Sequence, residues 1–304
     1  MQISRPKCII ILSAKSSGSS ALQDLLAKHN KISNVEATRH HRNETLYWTK
    51  AASLLNLPQI KMLDSEVPIP RQKAREDIVQ LLRENLENYT PPATDEELIF
   101  EGWNLLTMHH RPIFLEKSPH HLLQWPALEL INQCITKYPG IDFLIVGLVR
   151  NPMDVLYSIW SRWRTPPEKK QYEWLTEYKH LLKSKTLFGD KMVIVRYEDI
   201  TRNISSLKKI IEFAGIHPDD LDQHYIHSKS LSKWKTDKFY SFNLSEEVIA
   251  LAEEFGYQRD EMSNTHENAL WMPYKHMTRG YYKISKPIYQ SLRSLKKKIV
   301  MPDH

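Results

Sequence analysis

Arg150, Asp154, Ser158 and Arg162 follow the apolar tract Phe143 to Val149 at a spacing that suits a phosphate grip. A guanidinium binds phosphate through a planar, charge-assisted fork, and a hydroxyl two turns along a helix can reach the same group. The tract reads as a strand buried on both faces. Asn151 suits an N-cap, Pro152 the first helical position and Asp154 the positive helix end, so a helix is predicted to start there. Leu156, Ile159, Trp160 and Trp163 recur at i, i+3, i+4 and i+7 as its inward stripe, and Ser158 and Arg162 share another face. Arg150 then stands at the carboxyl end of a strand, where open α/β sheets place ligands. The structural alternative is an arginine that caps the helix or pairs with Asp154.

A second loop repeats this logic. Cys8 to Leu12 runs into Ser13-Ala14-Lys15-Ser16-Ser17-Gly18-Ser19-Ser20, then a helical pattern with Leu22, Leu25 and Leu26. Small residues let backbone N–H groups point inward, Gly18 allows close approach, and the helix start adds a positive dipole. Lys15 supplies a point charge. No Lys follows Gly18, so the G-x-x-x-x-G-K-[ST] loop of nucleoside triphosphatases is not matched and triphosphate hydrolysis is disfavoured.

The elements that must position these loops alternate short apolar runs with longer helical patterns, which predicts an α/β fold with a central, mainly parallel sheet flanked by helices. Predicted strands are Lys7 to Ser13, Ile113 to Glu116, Ile141 to Val149 and Met192 to Tyr197, and predicted helices include Ser205 to Ala214 and Ser245 to Phe255. Residues 30–98 read as a polar, helical, substrate-facing insertion, and residues 1–274 as one domain. At 304 residues and 41% hydrophobic content a sizeable core is affordable in surface-to-volume terms. The net charge of +6 sits in the tail: eight Lys/Arg and one acid follow Tyr274, leaving the body near −1, so a nucleic-acid groove is not expected. In residues 275–304, Ile288, Leu292, Leu295 and Ile299 fall on one helical face among Arg293, Lys296, Lys297 and Lys298, the pattern of an amphipathic helix that could rest on an anionic membrane or remain a basic tail. Cys8 and Cys134 give neither a disulfide framework nor a metal spacing, so reduced thiols and no metal are expected. The apolar core of Met1 to Leu12 is too short for a signal peptide or membrane span, so the chain reads as cytoplasmic, with the tail as its one candidate membrane contact.

Taken together, the two loops resemble the nucleotide-binding elements of the PAPS-dependent sulfotransferases, which carry 3′-phosphoadenosine 5′-phosphosulfate. Arg150 and Ser158, in the setting R-N-P-x-D-x-x-x-S, resemble that family's 3′-phosphate element, and Lys15 to Ser20 its 5′-phosphosulfate loop, with the basic residue one place early. Glu116-Lys117-Ser118-Pro119 resembles a strand-end motif that brings a lysine to the transferring group. Val195 to Ile200 resembles the R-Y-E-D-L segment, and Ser230-Leu231-Ser232-Lys233-Trp234 the S-x-x-K-W loop of the carbohydrate and tyrosylprotein branches. All five occur in family order.

The resemblance implies a P-loop-like three-layer fold and in-line transfer of a sulfuryl group from PAPS, leaving PAP, to an acceptor hydroxyl on a carbohydrate, lipid or protein. Lys15, Ser16, Ser17, Gly18, Ser19, Ser20, Arg150, Ser158, Ser232, Lys233 and Trp234 would hold the donor, with Lys15 and Lys117 countering charge on the leaving group. Glu36 is the leading base, with Glu44, His40 and His41 as rivals. Arg39, His40 and His41 would meet the acceptor or form a polar loop. A P-loop small-molecule kinase using Mg²⁺ and a non-catalytic nucleotide- or glycan-binding protein are the alternative readings.

Overall fold

The structure, a computed structural model, describes residues 5–222, 225–226 and 228–300, without the side chains of His41 and residues 293–300. Five parallel strands run in the order β2-β3-β1-β4-β5: β1 Lys7–Ser13, β2 Ile32–Ser33, β3 Ile113–Lys117, β4 Asp142–Val149 and β5 Met192–Arg196. The expected strands are present, and the two-residue edge strand β2 is an addition that carries too little sequence to show a period.

Side-chain alternation sorts β1 and β4 into two layers. Cys8, Ile10, Leu12, Phe143, Ile145 and Val149 enter one hydrophobic cluster. Ile9, Ile11, Leu144, Val146 and Leu148 enter the other. The larger cluster is covered by α2 (Tyr47–Leu54), α3 (Arg71–Asn85), α4 (Asp95–His109), α5 (Trp125–Lys137), α6 (Pro152–Trp163), α7 (Pro167–Phe188) and α10 (Glu246–Glu254). The smaller is covered by α1 (Ser19–Leu26), α8 (Tyr197–Arg202) and α9 (Lys208–Ala214). A short α11 (Arg259–Met262) and a long α12 (Trp271–Val300) complete the chain. Gly147 lets α7 lie close, because a Cβ there would come within 2.7 Å of Leu181.

The segment between β2 and β3 is helical, as its composition predicts, and Trp48, Ile78, Leu82, Ile99 and Trp103 join it to the larger cluster. Thr94 opens α4 with a capping box closed by Glu97. Asn151 opens α6 by accepting the amide of Met153, with Pro152 at the first position as expected.

Candidate active site

Both loops end at the carboxyl edge of the sheet and face one cleft of about 530 Å³, whose lining includes Lys15, Ser20, Glu44, Arg150, Ser158 and Tyr197. The volume lies within the range of small-molecule sites. Gly18 is the cap of α1, with φ of 93°, no side-chain cap and no acid in the first turn. The N–H groups at the start of α1 are therefore open to an anion. A Cβ at Gly18 would run into the Tyr197 ring, so both backbone angle and space require glycine here. Beneath the loop, the Ser17 hydroxyl meets Tyr178 Oη at 2.9 Å, and Tyr178 donates to the Leu148 carbonyl of β4. Ser17 thus anchors the loop, while Lys15, Ser16, Gly18, Ser19 and Ser20 line the cleft. The Lys15 ammonium donates to the Asp64 carbonyl and lies 5.6 Å from the centre of the Trp163 ring. Burial first, then nearby Lys170, lowers its pKa.

Arg150 donates to the Ser16 carbonyl at 3.1 Å and the Ser230 carbonyl at 2.8 Å, joining the phosphate loop to the 230 loop over the Tyr197 ring. Asp154 is 3.8 Å away, so the two form an ion pair without a hydrogen bond. Asp154 instead accepts the Ser232 amide at 2.7 Å, and burial raises its carboxyl to about 6 against the lowering pull of Arg150 and that amide. Arg150 Nε, Ser16 Oγ and Ser230 Oγ are buried without hydrogen-bond partners. An unpaired nitrogen on Arg150 and unpaired hydroxyls on the two residues whose carbonyls it holds fit an oxyanion such as phosphate, because burial without a partner is costly. Ser158 of α6 also lines the cleft, as do Arg162 and Trp163. Trp163 is therefore a half-buried wall residue, while Leu156, Ile159 and Trp160 fill the predicted inward stripe.

β3 alternates its last residues between two tasks. Lys117, fully buried, donates to Glu44 Oε1 at 2.9 Å, Ser20 Oγ at 3.1 Å and the Arg42 carbonyl. On either side of it, Ser118 accepts the amides of Thr45 and Leu46, and Glu116 accepts the hydroxyls of Thr45 and Ser118. The 44–46 loop is therefore fixed by the two neighbours of the lysine that Glu44 meets. Burial alone would raise the Glu116 carboxyl, but facing His121 and the two hydroxyls hold it below its ordinary range. His120 Nδ1 is 3.9 Å from Glu44 Oε2, and burial, then Lys15, keeps its imidazole pKa well down.

The remaining predicted positions divide. Glu36 is exposed, its amide held by Asn85, and it does not line the cleft. Arg39 pairs with Asp77 at 2.9 Å, and His40 sits 3.8 Å from Glu66. Neither lines the cleft, and the His41 side chain lies outside the described residues. Ser232 contributes its amide to Asp154, Lys233 is exposed, and Trp234 is buried in the larger core cluster; none of the three reaches the cleft wall. Tyr197 and Tyr225 line the cleft without having been singled out. Tyr197 lay within the R-Y-E-D-like segment, whose Glu198 proves structural, accepting the Asn151 amide and the Tyr257 hydroxyl.

A parallel α/β sheet with a glycine-bearing loop at a helix start and an arginine at the neighbouring strand's end defines a P-loop-like α/β protein. The chain belongs to the sulfotransferase family, whose model matches residues 6–220. Among solved structures it is similar to a sulfotransferase from Alicyclobacillus acidocaldarius, at 15% identity and a TM-score of 0.45, covering 83% of this chain and 92% of that one. It is also similar to a sulfotransferase from Mycobacterium tuberculosis, at 13% identity and a TM-score of 0.36, covering 87% and 75%. No curated protein matches the chain.

Proposed function

We propose that the chain transfers the sulfuryl group of PAPS to an acceptor hydroxyl, with Glu44 as the base. The supporting observation is that one cleft is lined by Arg150, which carries an unpaired nitrogen, and by Glu44 and Ser20, which the buried Lys117 behind them joins. Arg150, Ser16, Ser158 and Ser230 would hold the 3′-phosphate, and the amino end of α1 with Lys15 the 5′-phosphosulfate. Glu44 would take the acceptor O–H proton while the acceptor oxygen bonds to sulfur and the bond from sulfur to the phosphate oxygen breaks. Lys117 and Ser20 would stabilise the charge left on that phosphate. A phosphate oxygen beside Ser20 would draw the Lys117 ammonium from Glu44 and free the carboxylate to act. The acceptor is a hydroxyl of a carbohydrate, lipid or protein.

Thermal unfolding with PAP, compared with ATP plus Mg²⁺, tests the donor assignment. PAP should raise Tm in the wild type, and Arg150→Ala should lose most of that rise, since a buried charge-assisted contact contributes about 1.5–3 kcal/mol. Stabilisation by ATP and Mg²⁺ with no response to PAP would instead support a small-molecule kinase.

A further inference from the structure

The first turn of α12 is docked. Trp271 packs edge-on against Trp160 and Tyr240, Tyr274 stacks on Phe239, and Lys275 pairs with Glu168 at 2.6 Å. Beyond Lys275, none of the described side chains of the helix is buried. Met277, Tyr281, Ile284, Ile288 and Leu292 are between 58% and 74% exposed. Their spacing of four, three, four and four places them within one stripe of a 3.6-residue helix. Arg279, Lys283 and Lys286 fall on the opposite side by the same count, and Tyr289 flanks the stripe. Residues 271–300 contain eight Lys/Arg and no Asp or Glu. Leu295 and Ile299 continue the spacing in sequence, although their side chains lie outside the described ones.

From this arrangement we infer that α12 is a peripheral membrane anchor that lies along an anionic bilayer surface of the phosphatidylserine type. An apolar stripe this exposed has no counterpart within the described residues of the chain, and water is a poor solvent for it. Pro287 breaks the helix's own hydrogen-bond ladder, which makes an unpacked helix depend further on an outside surface. The wholly basic charge selects an anionic partner, with long Lys and Arg stems reaching back to headgroups while the stripe enters the acyl boundary. Among the described residues no helix is long and apolar enough to cross a membrane, and the geometry inferred is one of lying on the bilayer. The docked first turn would hold the body at the surface, and an acceptor at that surface would be a lipid or membrane-borne glycan.

Cosedimentation of the full chain with vesicles tests this, using phosphatidylcholine alone and phosphatidylcholine with phosphatidylserine. Binding should be roughly tenfold or more tighter to the anionic vesicles and weaken with salt. Ile284→Asp with Ile288→Asp should abolish it while leaving the PAP-induced rise in Tm intact, which shows that the body is folded. Equal binding to both vesicles, no binding, or unchanged binding by the double variant would overturn the inference. So would a lipid-free dimer on size-exclusion chromatography that the double variant disrupts, because the stripe would then be covered by a second copy of the chain.

Discussion

The base is decided among single carboxylates by what each one touches. Glu44 lines the cleft and accepts from the buried Lys117, which also donates to Ser20, whereas Glu36 is exposed and tied through its backbone to Asn85. Glu44→Gln should keep PAP binding and lose about a hundredfold or more in kcat, and Glu36→Gln should stay near wild type, both read by steady-state turnover of labelled PAPS. An active Glu44→Gln enzyme would return the role to Glu36 or a histidine. A different carboxylate links folding to pH. Glu177 on α7 is fully buried with both oxygens unpartnered, and burial raises it from 4.5 to about 8 against the pull of Lys170. The folded state therefore binds this proton more tightly than the unfolded state. Its contribution is complete below pH 4.5 and is lost as pH rises through about 8. The full span is on the order of 5 kcal/mol. Glu177→Gln should flatten the fall in urea midpoint between pH 5 and 8, and an unchanged slope would show that Glu177 is not its source.

Among the elements, the legible ones were those whose sequence carried their own period or punctuation. β1 and β4 are apolar runs long enough to show burial on both faces, and Asn151-Pro152 fixes the start of α6 without tertiary help. The predicted helix from Ser205 becomes a 3-10 turn, Ile204–Leu207, followed by α9, because Asn203 caps the turn. The candidate site was legible where chemistry and strand ends coincide, at Arg150, Lys117 and the Gly18 loop. It was not legible where position depends on distant packing. The loop motif around Trp234 suggests a cofactor residue, yet its ring is buried in the larger core cluster. Glu44 is placed by Ser118 and Thr45, contacts that no local spacing announces, and Tyr197 is placed by the arrival of β5 beneath the phosphate loop.

At the scale of the whole molecule, charge and chemistry are separated. The cleft is built from loops above the sheet, and the basic excess lies in a helix that meets the body through Trp271, Tyr274 and Lys275 and has no buried side chain beyond Lys275 among the described residues. If binding in the cleft and contact at α12 are independent, removing residues 277–300 takes away no group that lines the cleft. Ligand binding stabilises the folded state by about 2.7 kcal/mol at one hundred times Kd, equivalent to roughly 2–4 °C per kcal/mol for a domain of 150–250 residues. The truncated chain should therefore show the same PAP-induced rise in Tm as the full chain, with turnover on a soluble acceptor preserved. Turnover on an acceptor embedded in anionic vesicles should fall toward the rate seen with neutral ones. A truncation that lost the PAP response while remaining folded would mean that α12 shapes the cleft itself, and the separation of the two surfaces would not hold.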